Sequence, residues 1–382
     1  MFVIVIAIAA SLFAQQSSPP SKPLGTFDDP NGGPPNSLHS VGVRGSIDAG
    51  GYAASAAAKT QSELFRQLTD VQVAALQPAW DTCAPSSAPR RVAINLLGSG
   101  KFAEAVTALE TLLRTNADPA TRELLGLAHE GNGQLEAAAE QFRMAADTRP
   151  GDAASFAYGS ALLLMGEADR AEALFRQGGH GPLGRLGLGA ALFQHGNVIG
   201  ALKLFVEAAA AHPSARYPFR FIEVALRSAG AQSASETAPK LSSFTRQSPD
   251  NGSAHYALAC ALIAKGAGTT DRAATKQIEE ELRRAIALDS NIADAHFRLA
   301  TFYSAEGQID AAISEYRIAL DLDPQQVEAH YRLSQLYARS GDPLLAKEQL
   351  QLHQELRARQ KAEIESGKIP IRIGEGSTGA CP

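Results

Sequence analysis

The stretch AHFRLATFYSAEGQIDAA (residues 295–312) returns 34 residues later as AHYRLSQLYARSGDPLLA (residues 329–346). Self-similarity at a fixed period of roughly 20–50 residues marks a repeat array, in which each unit buries its apolar face only against its neighbours. One unit is framed by His296, Leu299, Ala300, Tyr303, Gly307, Ala312, Tyr316, Ala319 and Pro324. The next repeats it with His330, Leu333, Ser334, Tyr337, Gly341, Ala346 and Leu350. The same frame catches Leu125, Gly126, Gly133, Ala138, Phe142, Ala145 and Pro150. It also catches Leu188, Gly189, Leu192, Gly196, Ala201, Phe205, Ala208 and Pro213.

Each position has a mechanical reason. Large residues fill the space between two antiparallel helices, and small ones (Gly126, Gly189, Ala300; Ala138, Ala201, Ala312) let the helices approach to about 8–10 Å. Gly307 and its equivalents supply a left-handed turn after the first helix. Pro150, Pro213 and Pro324 stop the second, because proline cannot continue a helix.

In these positions the units resemble tetratricopeptide repeats, over about Ser86 to Gln360 and in about eight copies. The resemblance implies an all-α helical-hairpin solenoid with a right-handed superhelical path, whose concave face is lined by first helices. Four units depart from the pattern. The first, Ser86–Asp118, has a weak first helix; Asp152–Gly181 is truncated; Arg216–Asn251 keeps Gly230 but places Pro239 in or near its second helix; the unit from Gly252 carries extra residues around GAGTTDRAA. The register is therefore least determined between Gly178 and Thr275.

Outside the array, Phe2 to Ala14 form an apolar run whose helical length, about 20 Å, falls short of the ~30 Å hydrocarbon core. It reads as a signal peptide spanning residues 1–14, so the chain is expected in the periplasm or outside the cell. The alternative is an uncleaved N-terminal membrane anchor. Residues 15–51 hold six Pro and seven Gly and read as a disordered linker. Residues 52–85 read as an amphipathic helix plus connector, with Leu64, Leu68, Val71 and Ala75 on one face and a stop at Pro78. The end of a capping helix and a loose tail occupy residues 361–382. Within that tail the apolar segment KIPIRI (368–373) offers the groove an occupant from the chain itself.

Net charge is −5 with the two signs interspersed, which gives no basic footprint for nucleic acid. Three cysteines at wide spacing suit no metal site. His129-Glu130 opens like a zinc-protease motif, but Gly133 stands where the second His belongs; the glycines around Gly187 lack dinucleotide-loop spacing. His255, His296 and His330 recur at one repeat position. Stacked repeats separate them by about 10 Å, too far for a shared zinc, so they read as packing residues. No cofactor, metal or catalytic site is expected, and the chain reads as a non-enzyme.

Function is expected in the groove. The resemblance points the residue after each repeated His into it: Tyr256, Phe297 and Tyr331. Gln335 lies one turn along, and Arg298 and Arg332 lie beside the aromatics. These aromatics either seal neighbouring first helices or anchor a bound segment, with the arginines pairing its acidic residues or simply solvated. Tyr, Phe and Tyr also displace the Lys and Asn by which some members of the family clamp a C-terminal carboxylate, so that recognition is not expected here. The expected role is a protein-binding scaffold or adaptor of the cell envelope. The alternatives are a membrane-anchored spacer or a non-catalytic subunit of an envelope enzyme complex.

Overall fold

The computed structural model describes residues 49–80, 87–115, 117–178, 181–266 and 272–366. The expected signal peptide, nearly all of the expected linker, the connector over residues 81–86 and the tail from residue 367 lie outside these. The chain divides into two units, Met1–Lys59 and Thr60–Pro382, and all the helical pairs lie in the second.

Among the described residues there are seventeen helices and no strand. The first, α1 (Ala49–Trp80), precedes eight antiparallel pairs. These are α2 (Ser87–Gly98) with α3 (Phe102–Thr115), α4 (Pro119–Gly131) with α5 (Leu135–Thr148), α6 (Asp152–Leu164) with α7 (Ala168–Gly178), and α8 (Pro182–Gln194) with α9 (Val198–Ala211). Then come α10 (Tyr217–Ser228) with α11 (Ala231–Gln247), α12 (Gly252–Ala264) with α13 (Arg272–Leu288), α14 (Ala293–Ala305) with α15 (Ile309–Leu322), and α16 (Val327–Ser340) with α17 (Pro343–Ser366). Each second helix also packs on the first helix of the next pair, so the units stack as a solenoid.

The turns follow from glycine. Gly133, Gly166, Gly196, Gly307 and Gly341 have φ between 76° and 87°, the left-handed conformation that closes a helix without a Cβ clash. Gly230 does not share this role. Its φ is −69°, and the fifth hairpin is joined instead by extended Ala229 and Gly230. α11 then runs through Pro239 to Gln247. Likewise α1 begins at Ala49, inside the segment expected as linker, and continues past Pro78 to Trp80.

Hairpin closure depends on aromatic residues set against glycine. An ideal Cβ built on Gly126 would lie 2.5 Å from the Phe142 ring, and one on Gly189 2.5 Å from Phe205. Phe142, Phe175, Phe205 and Tyr316, equivalent residues of four second helices, are all fully buried. Polar groups tie neighbouring repeats. The Asp152 carboxylate, at the start of α6, accepts from the backbone N–H of Leu183 and Gly184 at 3.0 Å each, capping α8 of the next pair. Arg90 of α2 donates to Asp118 at 2.8 Å and to Thr121 of α4 at 3.2 Å.

Candidate functional site: the groove and the helix lying in it

First and second helices are buried to different extents. In α5 the buried residues are Leu135, Ala138, Ala139, Phe142 and Ala145, one stripe, as an amphipathic helix against a single neighbouring surface requires. In α4 every residue from Ala120 to Gly131 except Arg122 is buried. α6 and α12 are also buried on nearly every side. For α4 the second cover is α1, which also reaches Arg227 of α10.

From Gln67 to Val73, α1 is buried at every position but Asp70, and Leu64 and Leu76 extend the buried stretch by a turn at each end. A helix lying on a surface hides one stripe; seven consecutive residues with six buried means walls on several sides. Leu64, Leu68 and Val71 join the buried cluster of Phe156, Leu186 and Phe221. Val73 and Leu76 join that of Leu97, Leu124 and Ala157. α1 therefore passes along the first helices, with its C-terminal part at the first repeats. Ala75, expected on the apolar face, is only half-buried, and Leu76 takes the buried place.

Polar contacts fix this register. Thr69 Oγ1 donates to Glu130 Oε1 at 3.0 Å, and Gln72 Nε2 donates to Glu130 Oε2 at 3.2 Å. Burial in α4 pushes the Glu130 carboxyl up to about 7, against the effect of those two donors. Further along, burial raises the Glu63 carboxyl of α1. Arg66, the donor Gln67 and Arg227 of α10 together outweigh it, and the net shift is downward. Glu223 of α10 and Asp294 of α14 lie in the same neighbourhood, and burial pushes both carboxyls up. Asp294 accepts from Gln326 Nε2 at 2.6 Å.

The residues expected in the groove divide. Tyr256 is 5 % exposed and belongs to the core, where burial raises its phenol well above the usual range. Cys260, one turn on, is buried too, its thiol pushed up to about 11 by desolvation. Phe297 is half-buried and packs edge-on against Tyr316 of its own hairpin, with ring centres 5.5 Å apart. Arg298 is half-buried near Cys260, Tyr256 and Glu223 rather than free in solvent. Tyr331 is 36 % exposed and leans on His353 of α17, with ring centres 5.2 Å apart. Arg332 is exposed and donates to Glu328 at 2.9 Å; Gln335 is exposed. The aromatics thus form no continuous exposed stripe. Among the positions expected to line the groove, Thr301 of α14 and Tyr331, Gln335 and Ala338 of α16 are exposed.

The repeated histidines bind their own hairpins. Nδ1 of His255, His296 and His330 meets Glu281 at 2.6 Å, Glu315 at 2.6 Å and Gln349 at 2.7 Å, each on the paired second helix. Their Nε2 atoms meet the carbonyls of Pro249, Ser290 and Pro324 at 3.1, 3.2 and 3.1 Å. They are buried between the helices, as packing residues should be, and their hydrogen bonds also make them polar staples.

Stacked antiparallel helix pairs of this length, with an inner wall of first helices, define an α-solenoid of helical hairpins. Residues 93–153 match a family model described as tetratricopeptide repeat, and residues 302–341 match one described as TPR repeat. In both stretches the chain carries tetratricopeptide repeats. No curated protein sequence matches it. Among solved structures it is similar to MamA (20 % identity, TM-score 0.35, covering 46 % of this chain and 97 % of that one). It is also similar to a thermophilic TPR protein of Thermus thermophilus (20 %, 0.37, 48 % and 99 %), and to yeast Tom70 (17 %, 0.49, 70 % and 61 %).

Proposed function

We propose that the protein is a non-catalytic interaction scaffold that holds a helical segment of a partner protein in the groove formed by its first helices. We place it in the cell envelope, exported by the apolar run at Phe2–Ala14. The observation that supports the groove reading is the burial of α1 between Gln67 and Val73, where a helix from outside the repeats packs against the first helices of the earlier pairs. Helix-in-groove recognition uses apolar anchors at helical spacing, and Leu64, Leu68 and Val71 have that spacing. The exposed stretch around Tyr331 and Gln335 offers further groove to an incoming chain, with an aromatic residue of the type enriched at binding hot spots.

The test is site-specific photo-crosslinking in cells, followed by fractionation. A crosslinking residue is placed at Tyr331 or Gln335 in the groove, and at Lys203 or Arg317 on second helices for comparison. Crosslinked partner bands from the groove positions, in an envelope or secreted fraction, support the proposal. Bands from the second-helix positions alone, or a purely cytoplasmic pool, overturn it.

A further inference from the structure

The groove reading leaves α1 to be explained, and the following rests on that reading. We propose that α1 is a displaceable resident of the groove, and that the external partner is an amphipathic helix repeating its pattern: leucines at the places of Leu64 and Leu68, valine or leucine at those of Val71 and Leu76, and small polar donors at those of Thr69 and Gln72.

Three observations carry this. The first is chemical complementarity. The described contacts of the Glu130 carboxylate, deep in the wall of α4, are Thr69 and Gln72, both supplied by α1. A wall that carries a buried acid needs an occupant with donors at that level, because an unpaired buried acceptor is expensive. That requirement selects among apolar helices and makes the match specific.

The second is incomplete fit. The Gln72 side chain is fully buried, yet its Oε1 has no hydrogen-bond partner among the described residues. Glu63, Glu223 and Asp294 add three acids around Arg66, Arg227 and Arg298 where α1 meets the later repeats. Such a polar, imperfectly satisfied contact resembles exchangeable interfaces more than a permanent core.

The third is access. The interactions of α1 run from the first repeats to Arg227 of α10, and Glu63 also acts electrostatically on Asp294 of α14. The next first helix, α16, presents Tyr331, Gln335 and Ala338 to solvent. An incoming helix therefore has open groove to engage before any of α1 is released. The two helices would exchange progressively, and the partner's affinity would be reduced by the fraction of chains in which α1 is seated.

The experiment uses the full chain and a fluorescent peptide of residues 60–80. It compares wild type with a chain carrying Leu64→Asp and Leu68→Asp, both shown to be equally helical by circular dichroism. The double variant is expected to bind the peptide at least ten-fold more tightly than wild type, and a peptide bearing the same two substitutions is expected to bind neither. Equal binding by both chains would preserve a groove that takes helices and overturn α1 as its gate. No binding by a helical double variant would overturn the gate and the groove reading together. Should the double variant unfold, hydrogen exchange on wild type decides. Excess peptide is expected to speed exchange of residues 64–73 while leaving α5 unchanged, and an unaltered α1 overturns the proposal.

Discussion

Thr69 and Glu130, sixty-one residues apart, share a hydrogen bond of 3.0 Å inside the molecule, one from a helix that precedes the repeats and the other from the wall of the second repeat. Because burial raises the Glu130 carboxyl from 4.5 to about 7, the folded chain holds a proton there that the unfolded chain has released. Stability from this group is therefore greatest at low pH, declines as pH rises from about 4.5 to about 7, and the loss of about 3 kcal/mol is complete above that. Glu223 and Asp294, also raised by burial, act in the same direction, so the variant comparison isolates Glu130. Glu130→Gln should flatten the pH profile of urea denaturation across this window and be the more stable form at pH 8.

Phe175 is held between two glycines. An ideal Cβ on Gly159 would lie 2.1 Å from its Cζ, and one on Gly187 2.2 Å from the same atom. Each Gly→Ala should cost about 1–3 kcal/mol by overpacking, read from thermal or urea unfolding. Gly98→Ala is the control: nothing lies within 4 Å of its Cβ, and the loss of unfolded-state freedom should stabilise by about 0.4–1 kcal/mol.

The histidine staples differ in their acceptors. His296 meets a carboxylate, Glu315, whereas His330 meets the amide of Gln349. Charge-assisted hydrogen bonds are about twice as strong as neutral ones. Double-mutant cycles to Ala should give a larger coupling for His296–Glu315 than for His330–Gln349, both within about 0.5–3 kcal/mol. Equal couplings would show that the carboxylate adds nothing.

Asp152 joins two repeats by capping α8 from the start of α6. Asp152→Ala should lower stability by about 0.5–2 kcal/mol, as loss of an N-cap does. Asp152→Asn, which keeps one acceptor oxygen, should lose less.

The hairpins were readable because their chemistry is local. Glycine turns, terminating prolines and the pairing of Gly126 with Phe142 recur at fixed offsets, and each follows from steric rules inside one unit. Where a unit closes by other means, as at extended Ala229 and Gly230, the glycine alone misleads. The groove was less readable. Periodicity showed that α1 has an apolar face but not which surface covers it. Tyr256 belongs to a repeat whose first helix is covered on nearly all sides, whereas Tyr331 lies near the end of the array, where solvent remains, so one repeat position has two environments. Glu130 stood out only as part of a broken zinc motif. The usable signal was a different one: Thr69 and Gln72 sit among the apolar residues of α1, and polar groups buried there require a partner.

The most direct measurement is hydrogen exchange along α1 in the full chain without any ligand. Most helical stability in proteins comes from tertiary packing, so the same segment without a covering surface exchanges rapidly. A seated α1 should protect the amides of Leu68 to Val73 by several orders of magnitude, well beyond what helix formation alone provides. Exchange of those amides as fast as in the free peptide of residues 60–80 would contradict a groove occupied by its own helix.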